Sequence, residues 1–391
     1  MSKKIILCAT CLFGLERFVG EEIDALGYKR LETIDGRVYF EGDENAIAKA
    51  NITLRCAERV LLVLNSYTAD SFTSLFDGVK CIPWEDYIGK KDAFPVNGHS
   101  VKSTLFSIPD CQSIIKKAVV ERLKTVYNCS WFEETGVNYR IEFFILNDKC
   151  DIMIDTSGVP LHKRGYRTQA GEAPIRETLA SAMVKIARMR ENVRLWDPFC
   201  GSATIPIEAA LQMTNTAPGI NRAFAAENYS FVNQLSFKTA RDEARAAINK
   251  DTEFFAFATD IDSGVLETAN ENCRRAGVSK YIRVFQKDAR RITKDDVRTT
   301  IVCNPPYGER LSSINEARKL YTDMGKAFSK LSPWQIYIIT SEELFEKYYG
   351  RKCDKARKLY NGMIKCCYYQ YYKNNSSVNF ENGKRLLDKK G

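Results

Sequence analysis

The chain has 391 residues, of which 45% are hydrophobic and 27% charged, an ordinary globular balance with room for two or three domains at about 100–200 residues each. Its net charge of +9 suits a polyanionic partner without naming one. No apolar run approaches the ~18 residues that span a bilayer, and the opening MSKKIILCATCLFG lacks the apolar region and cleavage site of a secretory leader, so a cytoplasmic protein is expected.

The thirteen cysteines are odd in number and scattered, which argues for reduced thiols over a disulfide framework. Cys8 and Cys11 form the one C-x-x-C pair. A zinc site needs a second pair or histidines at ligand spacing. His99 and His162 are far apart and Cys366 and Cys367 are adjacent, so no metal is expected and the pair reads as strand thiols.

In chain order, IILCATC reads as a strand ended at Gly14, and LERFVGEEIDALGY as an amphipathic helix closed at Gly27. RVYFEG is a strand, DENAIAKANITLR a helix and ERVLLVLNSYT a strand. That order over residues 1–67 suggests a small ferredoxin-like α+β unit. Residues 70–92 look helical around DSFTSLFDGVK, with Trp84 nearby. HSVKSTLFS reads as a strand, Asp110 as the cap of the helix CQSIIKKAVVERLKTVY, and NYRIEFFILNDKCDIMIDTSG as two strands, giving a second α+β unit over 68–160.

From residue 194, apolar strands (RLWDPFC, FFAFATDI, IRVFQKDA, TTIVCNPPY, WQIYIIT) alternate with helical patterns, which predicts a parallel doubly wound α/β sheet. Residues 215–252 form an insertion after the first helix of this series, and the tail after Lys373 is polar and expected to be loose. Asn361-Gly362 lies between two strand-like runs, a strong hairpin signal. A closing antiparallel hairpin is foreign to the dinucleotide-binding sheet and fits the class I methyltransferase sheet.

Four stretches carry chemistry. Asp197-Pro-Phe-Cys-Gly-Ser-Ala-Thr204 follows the first strand, where doubly wound sheets bind ligands. Gly201 lets the backbone approach a ligand, and without G-x-G-x-x-G no pyrophosphate cradle is indicated. A cofactor without phosphate, such as S-adenosylmethionine, fits. Asp260 ends the second strand, where a carboxylate can accept from both ribose hydroxyls, although an Asp capping the next helix fits as well and Asp262 is the better cap. Asp288, after the third strand, could face an adenine amino group or serve as a loop cap. Asn304-Pro305-Pro306-Tyr307 follows the strand TIVC. The Asn304 side-chain oxygen and the Pro305 carbonyl can both accept from one exocyclic amine, with Pro306 helping to fix the backbone and Tyr307 stacking on the base. Such an amine is a poor nucleophile because its lone pair is delocalised into the ring. Holding both N–H bonds turns the lone pair outward, and catalysis becomes alignment without a histidine base.

Over roughly residues 160–372 the chain resembles the class I methyltransferases that carry Asn-Pro-Pro-Tyr. It looks more closely like the bacterial large-subunit ribosomal RNA guanine-N2 methyltransferases, through ATCLFGLE, LHKRGYR, APIRETLA, DPFCGSATIPIEAAL and NPPYGERL in order. The resemblance implies a ferredoxin-like segment (1–67), a THUMP RNA-binding domain (68–160) and a Rossmann-like methyltransferase domain (161–391). It implies a cofactor site lined by Asp197, Gly201, Asp260 and Asp288, joined by Phe199, Ser202 and Asn304, and a base site at Asn304 to Tyr307. In some bacteria this unit is fused to a second methyltransferase domain, for which the chain leaves no room.

In LHKRGYR, Lys163, Arg164 and Arg167 surround Tyr166, a pattern suited to phosphate contact and stacking on RNA, or to a solvated linker. The combined expectation is a cytoplasmic enzyme that positions RNA with its front domains, flips out a base and methylates it from S-adenosylmethionine, with guanine N2 of 23S rRNA as the leading target. Adenine N6 in DNA and guanine N2 in tRNA are the alternatives. A non-catalytic RNA-binding protein would keep the front domains without needing the intact Asn304, Pro305 and Tyr307.

Overall fold

In the computed structural model, residues 4–167, 175–307 and 314–372 are described. The tail after Lys373, the Ala173-Pro174 end of APIRETLA and the GERL of NPPYGERL lie outside them. The described residues group into two units, one holding the chain up to 11 with 16–163 and 217–246, the other holding 12–15, 164–216 and the chain from 247 onward.

The first unit runs β1 (Ile5–Cys11), α1 (Glu16–Ala25), β2 (Lys29–Ile34), β3 (Arg37–Gly42), α2 (Ala46–Thr53), β4 (Ala57–Thr68), α3 (Phe72–Lys80), β5 (Val96–Val101), α4 (Ile108–Tyr127), β6 (Ile141–Leu146) and β7 (Lys149–Asp155). The two α+β halves expected from the sequence share one seven-stranded sheet, β2-β3-β1-β4-β7-β6-β5, because β4 is twelve residues long and pairs with β1 on one edge and β7 on the other. β2 was not expected: KRLETI is a polar, largely exposed edge strand without an apolar alternation to betray it. β5 begins and ends earlier than HSVKSTLFS suggested. Asp110 is not the cap of α4. Ser107 holds that position and Asp110 sits in the first turn, where its charge still opposes the helix dipole.

The second unit continues with α5 (Glu177–Ala187), β8 (Arg194–Asp197) and α6 (Thr204–Met213). After the helix α7 (Gln234–Ala246) come β9 (Ala256–Asp260), α8 (Gly264–Arg275), β10 (Ile282–Gln286), β11 (Thr299–Cys303), α9 (Ile314–Phe328), β12 (Gln335–Thr340), α10 (Phe345–Tyr349), β13 (Lys355–Asn361) and β14 (Ile364–Tyr371). Its sheet has the order β10-β9-β8-β11-β12-β14-β13. The first five strands are parallel, and β14 returns antiparallel to β12 and β13. This is the expected class I methyltransferase sheet, closed by the hairpin whose turn begins at Asn361-Gly362. Trp196, Tyr321, Phe328, Trp334, Phe345 and Tyr369 fill the core on one face, each large apolar side chain contributing about 1.5–3 kcal/mol by leaving water.

Most of the insertion belongs to the first unit, although it interrupts the chain of the second. Gly219 donates its N–H to the Ile52 carbonyl at 2.8 Å, and Ala226 to that of Thr156 at 3.0 Å. Tyr229 stacks on Tyr139 with centroids 4.4 Å apart and donates its hydroxyl to the Asp155 carbonyl at 2.7 Å. Lys49 pairs with Glu243 of α7 at 2.9 Å.

Candidate active site

Of the neighbouring parallel strands, β9 and β8 end at Asp260 and Asp197, Asp288 lies two residues past the end of β10 and Asn304 directly follows β11, so the expected residues gather at the carboxyl edge of one sheet. The loop after β8 is built tightly. Asp197 is buried and accepts from the Phe199 N–H at 3.1 Å. Cys200 donates its N–H to the Thr259 carbonyl of β9 at 3.0 Å. Gly201 follows with φ +47°, a conformation that favours glycine, and open space lies where its Cβ would be. Ala203 also has positive φ, +63°, at a cost of about 1–2 kcal/mol that the surrounding bonds of a ligand-facing loop must hold. Ser202 offers its carbonyl to Asn272 Nδ2 of α8 at 3.0 Å and its hydroxyl lies 3.2 Å from that of Thr204.

Burial pushes the Asp197 carboxyl well above the usual carboxylate range, opposed by the Phe199 bond and reinforced by the neighbouring charge of Asp260. No lysine or arginine pairs with Asp197 among the described residues. Asp260 joins the two strand ends: one oxygen accepts from the Gly201 N–H at 3.0 Å, the other from the Asp262 N–H at 3.1 Å. Each oxygen makes one such bond and keeps acceptor capacity for a further donor. Asp262, expected to cap α8, is not its N-cap: Ser263 holds that position without a side-chain cap bond, and Asp262, one residue earlier, accepts from the Gly264 N–H at 2.8 Å. Asp288 takes the cap role weighed for it. It accepts from the Arg290 N–H at 2.9 Å and pairs with the Arg290 guanidinium at 2.7 Å, which holds its carboxyl below the usual range.

Asn304 leaves β11 buried, and its side-chain oxygen makes no hydrogen bond among the described residues. A buried acceptor left without a donor costs about 1–3 kcal/mol, so this atom calls for a partner from beyond the described residues. The Pro306 carbonyl accepts from the Tyr321 hydroxyl at 3.0 Å, which locks the turn onto α9. Tyr307 is buried, its hydroxyl approached by Asn361 Nδ2 at 3.4 Å and Cys366 Sγ at 3.7 Å from the closing hairpin. The motif is therefore tied to the hairpin, a link that sequence reasoning missed because nothing in the local pattern joins residues more than fifty positions apart.

The linker residues expected to meet RNA turn mostly inward. Arg164 and Tyr166 are buried, and only Lys163 is exposed. The Tyr166 hydroxyl donates to Glu208 Oε1 at 3.1 Å, with Arg164 at 3.6 Å from the same carboxylate and Ser181 donating to its other oxygen. Arg167 pairs with Glu177 at 2.9 Å and donates to the Ile175 carbonyl and the Thr204 hydroxyl. The correction has a simple cause: two buried glutamates on α5 and α6 need these cations, and a basic linker looks the same in sequence whether its charges face a phosphate or a buried carboxylate. Glu177 and Glu208 carry no local signal of that role.

No group of three or more His, Cys, Asp or Glu able to hold a metal is present among the described residues, and none of their helices is long and apolar enough to cross a membrane.

Comparison with known proteins agrees with this fold. Residues 6–61 match the RlmL ferredoxin-like domain, residues 69–155 the THUMP domain, and residues 164–370 the RMKL-like methyltransferase domain. YpsC of Bacillus subtilis (strain 168), a candidate RNA methyltransferase, is 45% identical over 95% of this chain and 96% of its own length. The ribosomal RNA large subunit methyltransferase K/L of Psychromonas ingrahamii is 31% identical over 92% of this chain, which spans only 49% of that relative. The solved structure of SMU.472, a candidate methyltransferase complexed with SAH, is 37% identical with a TM-score of 0.87, covering 96% of this chain and all of that one. With the class I sheet and the full span of these matches in agreement, the chain belongs to the RMKL-like methyltransferase family, with an RlmL ferredoxin-like domain and a THUMP domain ahead of its methyltransferase domain.

Proposed function

We propose that the chain is an S-adenosylmethionine-dependent RNA methyltransferase acting on an exocyclic base nitrogen, with guanine N2 of 23S rRNA as its target. The observation that carries this reading is the buried, unengaged Asn304 side-chain oxygen at the end of β11. An amine N–H is the donor it lacks, and guanine N2 presents one. The Pro305 carbonyl is the second acceptor in the proposal, and Tyr307 is the stacking surface.

The residues at the strand ends fit the cofactor. The buried Asp197, without a cation beside it among the described residues, suits a ligand that bears positive charge. Asp260 keeps acceptor capacity for ribose hydroxyls, and the space above Gly201 admits a ligand against the backbone. In this reading Phe199 and Ser202 complete the cofactor site, and Asp288 would face the adenine only by giving up part of its pairing with Arg290. When bound, S-adenosylmethionine supplies a methyl group activated on a sulfonium. The chain's part is to orient the amine through Asn304 and Pro305, and to keep water from the site by the packing around Tyr307 and α9.

RNA is favoured as the substrate by the THUMP match and by the name of the Bacillus relative, and rRNA by that of the K/L relative. The same acceptors would serve adenine N6 in DNA or guanine N2 in tRNA. Incubating the protein and S-adenosylmethionine with unmodified 23S rRNA, tRNA and DNA, then digesting each for mass spectrometry, separates these. N2-methylguanosine confined to 23S rRNA is expected. N6-methyladenine in DNA, with unmodified RNA, would contradict the assignment.

A further inference from the structure

With Arg164, Tyr166 and Arg167 turned inward, the methyltransferase unit needs another surface for the RNA strand beside the target base. The β13–β14 hairpin presents one. β13 is the edge of the sheet. Across the hairpin Tyr360 pairs with Lys365 and Lys358 with Cys367, so Lys358, Tyr360 and Lys365 share one face. The short segment 12–15, between β1 and α1, belongs to this unit. Gly14 there has φ +90°, which favours glycine, and a Cβ on it would crowd the Lys358 carbonyl at 3.0 Å, so glycine eases the segment against the edge strand. The segment thereby sets Phe13 edge-on to Tyr360, with ring centroids 5.7 Å apart.

Phe13 is 54% exposed and Met363, at the hairpin tip, 97% exposed. Lysines on an edge strand also guard against strand addition, and that role would explain Lys358 alone. It does not explain why the exposed Phe13 is set on the half-buried Tyr360 beside two lysines, with an exposed methionine at the hairpin tip. Stacking rings flanked by cations are what single-stranded nucleic acid recognises. The nearby carboxylate, Glu343, is itself exposed and lies 3.7 Å from Lys365, a weak surface pair that a phosphate can displace. One residue beyond Tyr360 and on the opposite face of the hairpin, Asn361 reaches the Tyr307 hydroxyl, so one strand lies between this face and the base site.

We propose that Lys358, Tyr360, Lys365 and Met363 of the hairpin, with Phe13 against them, form a platform for single-stranded RNA that stacks the nucleotide next to the methylated base. This rests on the RNA reading above. The test compares wild type with Lys358→Glu/Lys365→Glu and with Phe13→Ala. The probe is transcribed, unmodified 23S rRNA, and SAH affinity is measured by calorimetry on each protein. The lysine variant should raise the KM for RNA by about 10- to 100-fold, and flatten the log–log salt dependence by about 1–1.5 through loss of two phosphate contacts. Phe13→Ala should raise KM by about 5- to 100-fold. In both, kcat at saturating RNA and SAH affinity should stay at the wild-type level. Wild-type KM and salt slope in the variants would overturn the platform and leave the RNA reading intact. So would a loss of SAH affinity alongside KM, which marks a merely structural role. A wild-type protein that neither binds nor methylates RNA would overturn the RNA reading, and the platform with it.

Discussion

Arg167 and Glu177 form an ion pair at 2.9 Å that is almost wholly withdrawn from water, and Arg167 reaches from it to the Thr204 hydroxyl at the end of the β8 loop. Removing one partner of a buried pair leaves the other charge uncompensated, at about 3–5 kcal/mol. Arg167→Ala should therefore lower the stability of the second unit by about that amount at pH 8, read as a shift in the urea midpoint. An arginine that served RNA would leave the midpoint alone and raise the KM for RNA.

The same pair gives a pH dependence. Burial pushes the Glu177 carboxyl from 4.5 up to about 7, against the pull of Arg167. Between those values the folded chain holds a proton that the unfolded chain has released. The contribution to stability is thus full at low pH, falls as pH rises from 4.5 towards about 7, and is level above. Wild type should lose more stability between pH 5 and pH 8 than Glu177→Gln, which has no such proton to release. Equal losses in urea titrations at the two pH values would show that Glu177 ionises normally.

Asp260 holds the Gly201 N–H and keeps acceptor capacity for a ligand. Asp260→Ala should weaken SAH binding by about 1–3 kcal/mol, the cost of leaving polar partners unmet. Calorimetry with unchanged affinity would remove Asp260 from the cofactor site.

Tyr307 separates ring from hydroxyl. Its contacts to Asn361 and Cys366 are long, 3.4 and 3.7 Å, so losing these two in Tyr307→Phe should cost under about 1 kcal/mol in stability and leave methylation near normal. Tyr307→Ala should weaken productive RNA capture by about 1–3 kcal/mol of stacking. Steady-state kinetics on both distinguish a stacking ring from a residue that only anchors the hairpin.

The catalytic sheet and its strand-end residues were legible because apolar strands alternate with helices, and because Asp197, Gly201, Asp260 and Asn304 follow strands directly. What was not legible depended on partners distant in sequence. KRLETI gave no sign of β2 because an exposed edge strand has no buried face to pattern. The basic linker gave no sign that Glu177 and Glu208 would claim its arginines. The insertion carries Tyr229 and Gly219, whose partners Tyr139 and Ile52 lie ninety or more residues earlier. Phe13 belongs with Tyr360 because Gly14 fits against the edge strand.

In the proposed function the Asn304 side-chain oxygen aligns the target amine. Single-turnover methylation of 23S rRNA by Asn304→Ala, with thermal melts and SAH calorimetry on the same protein, tests it most directly. Losing one aligned acceptor should slow turnover by about 10²–10³-fold, similar to losing one preorganised polar contact elsewhere, while fold and SAH affinity are kept. A well-folded Asn304→Ala protein that methylates at a near-normal rate would contradict the account.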